Sequence, residues 1–472
     1  MWHALADGLR LLGYWKRRFA NNVFLIPFIE PNMSRDLSAS REKRLGRQLT
    51  DLFHAYDGPA FSIRLWNGWQ WNCGPGGGGC TLGVNSPDAL ASLALGADEV
   101  MLGGAFVRKE IDVEGDFFPA FAIAEYLEER PRSLRQTAIE NIIAGTVNLG
   151  RWFKHGSKHS KARDLASISY HYDLPVAFYR PWLGETLAYS CAYFRHADDS
   201  IDQAQEQKLD LICRKLRLKP HERFLDIGCG WGSLVLHAAC HYGVQAHGIT
   251  LSREQAEVAK VRIRDAGRAD SCTVEHRDYR QCEELRGSFD KIASIGMFEH
   301  VGLPSLPKYF ATVHGLLKPG GALLNHGIAR SASAPSPRHS FIDRYVFPDG
   351  KLVTITEAIH AAEGAGFEVR DAENLREHYE LTSRKWLDGL QKNRPALLKV
   401  VPETTYRIWL LYIAGSAAAF QGGRIAVHQV LLSRLDHGRS GMPLVREDWY
   451  EGGARERNES PADTHRVLTN SN

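Results

Sequence analysis

Between Phe224 and Leu432 the chain alternates short apolar runs with amphipathic stretches, and this alternation constrains its fold more than any other feature. Strand-like runs lie at Phe224–Ile227, Ala246–Ile249, Thr273–Glu275, Lys291–Ile295 and Ala322–Asn325, and two more at Phe367–Arg370 and Ile425–Leu432. Helical patterns precede and separate them at Gln203–Lys215, Leu234–His241, Ser252–Ala266 and Leu306–Leu317. Parallel neighbours in a sheet need long crossover connections, and helices supply them. The pattern therefore specifies an α/β domain, a doubly wound sheet of seven parallel strands with helices on both faces.

That region fills only part of the 472 residues. Upstream, Phe61–Trp71 alternates like a strand, and Ser86–Gly96 and Phe118–Arg130 read as helices. Residues 1–150 are thus expected to form a smaller α+β accessory domain, 151–163 a basic linker, 164–436 the main domain, and 437–472 a polar tail that is partly disordered. The apolar run Ile408–Phe420 is too short for a bilayer span and lies between Arg407 and Arg424, so a buried helix is expected. Basic and acidic residues nearly cancel, 58 against 55, so bulk charge selects no partner. The eight cysteines show no repeated spacing, which argues against a disulfide framework or a cysteine-based zinc site and fits a reduced, cytoplasmic compartment.

The sharpest motif is Arg223-Phe-Leu-Asp-Ile-Gly-Cys-Gly-Trp-Gly232, in which a short strand runs into three alternating glycines and then a helix. Glycine lets a backbone turn tightly and approach a ligand without a Cβ clash. Ser233 stands where a dinucleotide fingerprint needs another glycine, and no Lys-Ser/Thr follows as in a triphosphate loop. The glycine-rich loop Asn72–Gly79 lacks that pair too.

The Asp-x-Gly-x-Gly-x-Gly run resembles the first motif of the class I S-adenosylmethionine-dependent methyltransferases, whose sheet is Rossmann-like. Most of that class carry a carboxylate at the end of the second strand. Here the strand ends Ile249-Thr-Leu-Ser252 without one, and Gly248-Ile-Thr-Leu-Ser-Arg-Glu-Gln255 resembles the corresponding segment of the cyclopropane-fatty-acyl-phospholipid synthases and cyclopropane mycolic acid synthases. His171-Tyr-Asp-Leu174, Tyr189-Ser-Cys-Ala-Tyr-Phe194, Gly296-Met-Phe-Glu-His-Val-Gly302, Asn325-His-Gly-Ile328, Phe347-Pro-Asp-Gly350 and Arg376-Glu-His-Tyr379 match that family as well. The likeness runs from about Asp164 to Arg434. Before it, Ile111-Asp-Val-Glu-Gly-Asp116 is similar to the N-terminal domain of the phospholipid-acting members.

The resemblance implies a lipid-modifying methyltransferase with S-adenosylmethionine as methyl donor and bicarbonate as a bound ion. It places Tyr189, Ser190, Gly228, Cys229, Gly230, Thr250, Leu251, Gln255, Asp278 and Tyr279 on cofactor positions. Gln255 would stand in for the missing carboxylate, and Asp278 and Tyr279 would hold and cover the adenine. Cys191, Glu299, His326, Ile328 and Tyr379 fall on the positions around the bicarbonate. Where the family often has a cysteine, this chain has Ser416, so no nucleophilic thiol is expected there. Taken singly, Cys191 reads equally as a small core residue, His326 as a structural histidine and Glu299 as half of an ion pair. Their common place at strand carboxyl ends favours a shared crevice, to which Tyr172, Tyr193 and Phe194 would add aromatic faces.

The implied reaction turns a cis-unsaturated phospholipid acyl chain into a cyclopropane; a methyl-branched product or another acceptor is the alternative. Such a substrate is met at a bilayer. Arg151, Lys154, Lys158, Lys161 and Arg163, with His155 and His159 and no acid among them, read either as a solvated linker or as a contact for anionic headgroups. No aromatic–basic pattern for nucleic acid accompanies them. In Met1–Ala20 the apolar residues Trp2, Leu5, Leu9, Leu12 and Trp15 precede Lys16-Arg17-Arg18, the wrong order for a secretory signal. An interfacial helix and a helix packed on its own domain both fit. The expectation is a cytoplasmic protein held peripherally at the inner membrane face, with an N-terminal module that recruits lipid or orders a dimer.

Overall fold

The computed structural model describes residues 39–86, 89–90, 99–129, 174–334, 340–347 and 352–450. Met1–Ala20, the run 151–163, most of Ser86–Gly96, Tyr172, residues 348–350 and the tail from Gly452 lie outside them. The chain divides into two compact units, Met1–Ile143 and Ala144–Asn472.

In the first unit, β1 (Phe61–Leu65), β2 (Gln70–Cys73), β3 (Cys80–Val84) and β4 (Ile111–Gly115) form a sheet ordered β2-β1-β3-β4. Helices α1 (Ala39–Leu52), α2 (Glu99–Val107) and α3 (Phe118–Glu129) accompany it. The stretch expected as one strand, Phe61–Trp71, is a hairpin. Asn67-Gly68 turns the chain, with Gly68 at φ 86° and the Trp69 amide donating to Asn67 Oδ1 at 3.0 Å. Asn-Gly favours such a turn, and it outweighed the alternation on either side. Phe53, Phe61, Ile63 and Leu82 pack in the core of this unit.

In the second unit the seven strands are β5 (Arg223–Ile227), β6 (Gln245–Thr250), β7 (Cys272–His276), β8 (Phe289–Ile295), β9 (Leu317–Arg330), β10 (Phe367–Asn374) and β11 (Ile425–Arg434). Their order is β10-β11-β9-β8-β5-β6-β7. The longer helices are α4 (Val176–Leu183), α5 (Ile201–Leu216), α6 (Ser233–Tyr242), α7 (Arg253–Asp265), α8 (Leu306–Leu316), α9 (Ile355–Gly364), α10 (Arg376–Lys392) and α11 (Glu403–Gln421), with short helical turns at Phe341–Tyr345 and Arg394–Leu397. Side chains alternate between the two faces. Phe224, Ala246 and Leu324 join Ile212 and Val235 in one core, while Leu225, Ile249 and Leu323 join Tyr309 and Phe310 in the other. Burial on both faces explains why these strands read as continuous apolar runs.

The sheet is not wholly parallel. β11 pairs antiparallel with both β9 and β10. Two helices, α10 and α11, follow β10 and pack on each other. They return the chain to the carboxyl edge, where Ile425 opposite Arg330 starts β11 in the reverse direction.

The polar tail also contributes to the core. Trp449 is 2% exposed and joins the cluster that holds Leu209 and Ile212. Its ring lies under the Arg217 and Arg446 guanidinium groups, 5.2 and 5.4 Å from its centroid, and 5.7 Å from Lys215 Nζ. An adjacent Trp-Tyr pair in a polar stretch makes no period, so the sequence pattern gives no sign of this. Trp449→Ala is expected to destabilise this unit by about 3 kcal/mol, read as a lower urea midpoint in the full-length protein.

Candidate active site

The glycine loop after β5 sits at the carboxyl edge of the sheet. Gly228, Gly230 and Gly232 all have left-handed φ, 82°, 53° and 79°. A Cβ at Gly228 would also stand 3.1 Å from Met297 Cβ. The Gly228 and Cys229 amides both donate to Ile249 O, at 2.9 and 3.0 Å. Those two donors therefore brace the loop against β6 and do not face a ligand.

Beside the loop lies a cavity of about 350 Å³. Tyr189, Ser190, Gly228, Cys229, Gly230, Thr250, Leu251, Gln255 and Tyr279 line it, as the sequence reading placed them. Asp278 is not among the lining residues. Its carboxylate accepts from the Arg280 backbone N–H at 2.9 Å and pairs with that guanidinium at 2.7 Å, so Arg280 fills the wall instead. At the end of β6, Thr250 Oγ1 donates to Gln255 Oε1 at 2.9 Å, which engages the side-chain oxygen of a residue on the cavity wall. Ser252 caps α7 by accepting from the Gln255 amide at 3.3 Å. The helix start and the missing carboxylate are thus served by one short segment.

Two wall residues went unassigned in the sequence. Asp226 is wholly buried with Oδ1 unpartnered, and desolvation pushes its carboxyl up to about 7. Lys208 on α5 is also buried, and desolvation pushes its ammonium down to about 8. Its Nζ donates to Ser190 Oγ at 2.9 Å. Together they put one acid and one base on the wall of the same cavity, a set complementary to a zwitterion. Lys208 was readable in principle, as a lysine on the apolar stripe Ala204, Leu209, Ile212 of α5.

The residues expected around an anion form a second group. Cys191, Ile328 and Tyr379 pack with Leu375 and Val427. None of the five, Glu299, His326, Cys191, Ile328 or Tyr379, lines the cofactor cavity. The turn Phe298–His300 separates its neighbours: His300 faces the cavity, while Glu299 Oε1 accepts from the Ile328 amide at 2.7 Å. Glu299 is half-buried, its Oε2 is shielded from solvent without a partner, and desolvation pushes its carboxyl up to about 7. His326 is pushed down to about 3 by burial first and then by the charges of Lys208 and Lys215. Its Nδ1 meets Gln429 Nε2 at 3.2 Å and its Nε2 has no partner. Burial holds the Cys191 thiol well above its ordinary range, so it is a neutral group. The two groups meet where β8 ends, with Gly296 N donating to His326 O at 2.8 Å; His326 itself lies inside β9, which continues to Arg330, and not at a strand end as expected.

Of the expected aromatic faces, Tyr193 packs against the cluster of Cys191, Leu375 and Val427, and further faces come from other residues. Tyr193 and Phe194 face His378, Tyr193 stacking on it at 4.6 Å. Tyr189 leads from the cavity into a nest of Trp182, Trp386 and Trp409, with centroids 5.8, 5.2 and 5.8 Å from its own. Tyr189 Oη donates to Tyr412 Oη at 3.4 Å, and Tyr379 stacks on Phe420 at 4.4 Å. Trp409 and Tyr412, three apart on α11, could have been read as one face of that helix. Ser416, on the same helix, hydrogen bonds to Tyr412.

Comparison with known proteins bears on this arrangement. The family model described as mycolic acid cyclopropane synthetase matches residues 159–430. A protein of Pseudomonas putida named probable fatty acid methyltransferase is 39% identical over 82% of this chain and 95% of its own. Cyclopropane-fatty-acyl-phospholipid synthase of Escherichia coli K12 is 33% identical over 74% of this chain and 87% of its own. The crystal structure of mycolic acid cyclopropane synthase CmaA1 complexed with SAH and CTAB is 32% identical, with a TM-score of 0.54 over 57% of this chain and 97% of that one.

Gly228→Ala tests the cavity. A side chain there adds about 1–2 kcal/mol of backbone strain to the contact with Met297. Calorimetric affinity for S-adenosylhomocysteine is expected to fall roughly tenfold while the circular dichroism spectrum stays native.

Proposed function

Because this chain belongs to the mycolic acid cyclopropane synthetase family, whose members are S-adenosylmethionine-dependent methyltransferases, we propose that it converts a cis double bond of a phospholipid acyl chain into a cyclopropane. One observation carries the proposal. Two buried, unpartnered polar atoms, Glu299 Oε2 and His326 Nε2, flank an otherwise apolar cluster. An orphaned buried polar atom is costly unless a ligand satisfies it. A small anion with its own O–H, such as bicarbonate, suits both: the carboxylate accepts that O–H and the imidazole N–H donates to the anion.

S-adenosylmethionine supplies an electrophilic methyl. The π electrons of the alkene form the new C–C bond as the methyl leaves sulfur as a neutral thioether, and the acyl chain is left cationic. One C–H of the added methyl then loses its proton, and that electron pair closes the ring. A bicarbonate held by Glu299 and His326 would supply the small base. The protein's part is to hold the pieces and keep water out. Asp226, Lys208 and Gln255 offer charge and hydrogen bonds to the cofactor. The nest of Trp182, Tyr189, Trp386 and Trp409 shields the cation without reacting with it. Glu299 and His326 orient the anion, and Cys191 and Ile328 fill the remaining space.

The stronger likeness to a probable fatty acid methyltransferase favours a second reading, in which a free or carrier-bound acyl chain is the acceptor or a methyl branch the product. Lipid mass spectrometry of cells with and without the protein separates the acceptors: one CH2 gained on monounsaturated phospholipid chains supports the first. NMR of the product separates a ring from a branch.

Glu299→Gln is expected to keep S-adenosylhomocysteine affinity and to lose about 10²–10⁴-fold in kcat. A carboxyl raised to about 7 is ionised only above that pH. With bicarbonate held constant, the native rate should therefore rise through pH 7, and the residual rate of the variant should be flat. A variant that turns over like the native enzyme removes Glu299 from this role.

We also propose peripheral attachment at the cytoplasmic membrane face through the run Arg151–Arg163. Among the described residues no helix is long and apolar enough to cross a membrane. Exposed charges are screened over about 8 Å at physiological ionic strength, so binding to anionic vesicles should fall as salt rises. Equal binding to neutral vesicles at every salt level would discard the electrostatic attachment.

A further inference from the structure

Beneath His326 runs a buried chain of polar groups that the reaction as described does not use. Lys215, on α5, is 0% exposed, and Gln429, on β11, is likewise 0% exposed. Lys215 Nζ donates to Gln429 Oε1 at 2.6 Å and also pairs with Glu373. Gln429 stands directly opposite His326 in the antiparallel register of β11 and β9. Its Nε2 lies 3.2 Å from His326 Nδ1.

These contacts leave one consistent assignment of hydrogens. An ammonium has donors only, so the Gln429 oxygen must face Lys215. The Gln429 NH2 then faces His326, and His326 Nδ1 must accept. A neutral imidazole with Nδ1 as acceptor carries its proton on Nε2. The ring stays neutral because burial first, and then the charges of Lys208, Lys215 and His428, oppose a positive charge on it. Burial lowers the Lys215 ammonium, the Glu373 carboxylate opposes that shift, and Nζ lies 5.7 Å from the centroid of the Trp449 ring.

We propose that Lys215 and Gln429 are positioning residues that fix His326 as its Nε2–H tautomer, with that N–H directed away from Gln429 to donate to the anion. The inference rests on the anion-holding role given to His326 above, but its first consequence concerns the free enzyme. The reversed strand β11 thus has a chemical use: it brings an amide beside the ring at a register that a single shift would destroy.

The test is a long-range proton–nitrogen NMR correlation on full-length protein carrying 15N-histidine. The His326 signals are assigned by their loss in His326→Asn. The expected result is an unprotonated Nδ1 and a protonated Nε2. In Gln429→Glu the new carboxylate accepts from Nδ1, so Nδ1 should become protonated. Gln429→Met, neutral and of similar size, should populate both tautomers and serves if the charged variant does not fold. A native Nδ1–H, or a folded Gln429→Met or Gln429→Glu with the native tautomer, overturns the proposal. In turnover, Gln429→Glu should lose roughly 10–100-fold in kcat, as supporting groups behind ligands do, with the KM for S-adenosylmethionine unchanged. A raised KM with kcat unchanged would mean a general disturbance of the fold and would overturn the positioning role. Bicarbonate titration separates the two readings. If it shifts the Nε2 signal, both stand. If the tautomer is as stated but bicarbonate moves nothing, the relay is upheld and the anion reading fails.

Discussion

Lys208 and Lys215 lie two turns apart on the same face of α5, and both are inside the protein. Burying an ammonium is expensive unless each charge meets a partner. Lys208 meets Ser190 and the field of Asp226 at the cofactor cavity. Lys215 meets Gln429 and Glu373 beside His326. One helix face therefore sets the electrostatics of both halves of the site. Moving α5 by a single residue would strand two charges, so the helix, the strand ends and the segment before it are held in one register. The capping box of Ser200 and Gln203 marks where that register starts.

The segment Tyr189-Ser-Cys191 shows how closely the two halves adjoin. Tyr189 faces the aromatic nest, Ser190 takes the Lys208 hydrogen bond at the cavity, and Cys191 packs against Ile328 and Tyr379. Gln205 steadies the segment from α5 by donating to the carbonyls of Ala188 and Ser190 at 3.1 and 2.9 Å. Three consecutive residues so join the cavity to the cluster of Cys191, Ile328 and Tyr379. The chemistry proposed here needs that closeness, because a cation exposed for long would meet water.

The strands of the second unit and its glycine loop were legible because they are written locally, as apolar runs and an Asp-Gly-Gly-Gly spacing. The lining positions Thr250, Gln255 and Tyr279 followed from their places after those strands. What escaped notice depends on contacts between distant segments. Lys208 and Lys215 look like ordinary helix-surface charges until the partners from β5 and β11 are in place. Trp449 has no periodic companions. The reversal of β11 follows from the packing of α10 on α11, which no residue spacing encodes. Asp278 was placed by family position, yet its neighbour Arg280 occupies its carboxylate. The hairpin at Asn67-Gly68 was readable and was overridden by alternation.

The reversed strand has a consequence for how the chain is made. β11 is the last strand of the sheet in sequence, yet it belongs between β9 and β10. Until residues 425–434 leave the ribosome, β9 presents an open edge of fourteen residues that includes Ala322 to Ile328, mostly buried in the finished protein. An unpaired, apolar edge of that length is the kind of surface on which nascent chains stick to one another. The pocket around His326 is thus completed only when β11 arrives, and an mRNA cut short before it would leave β10 unattached, one strand away from the open edge of β9.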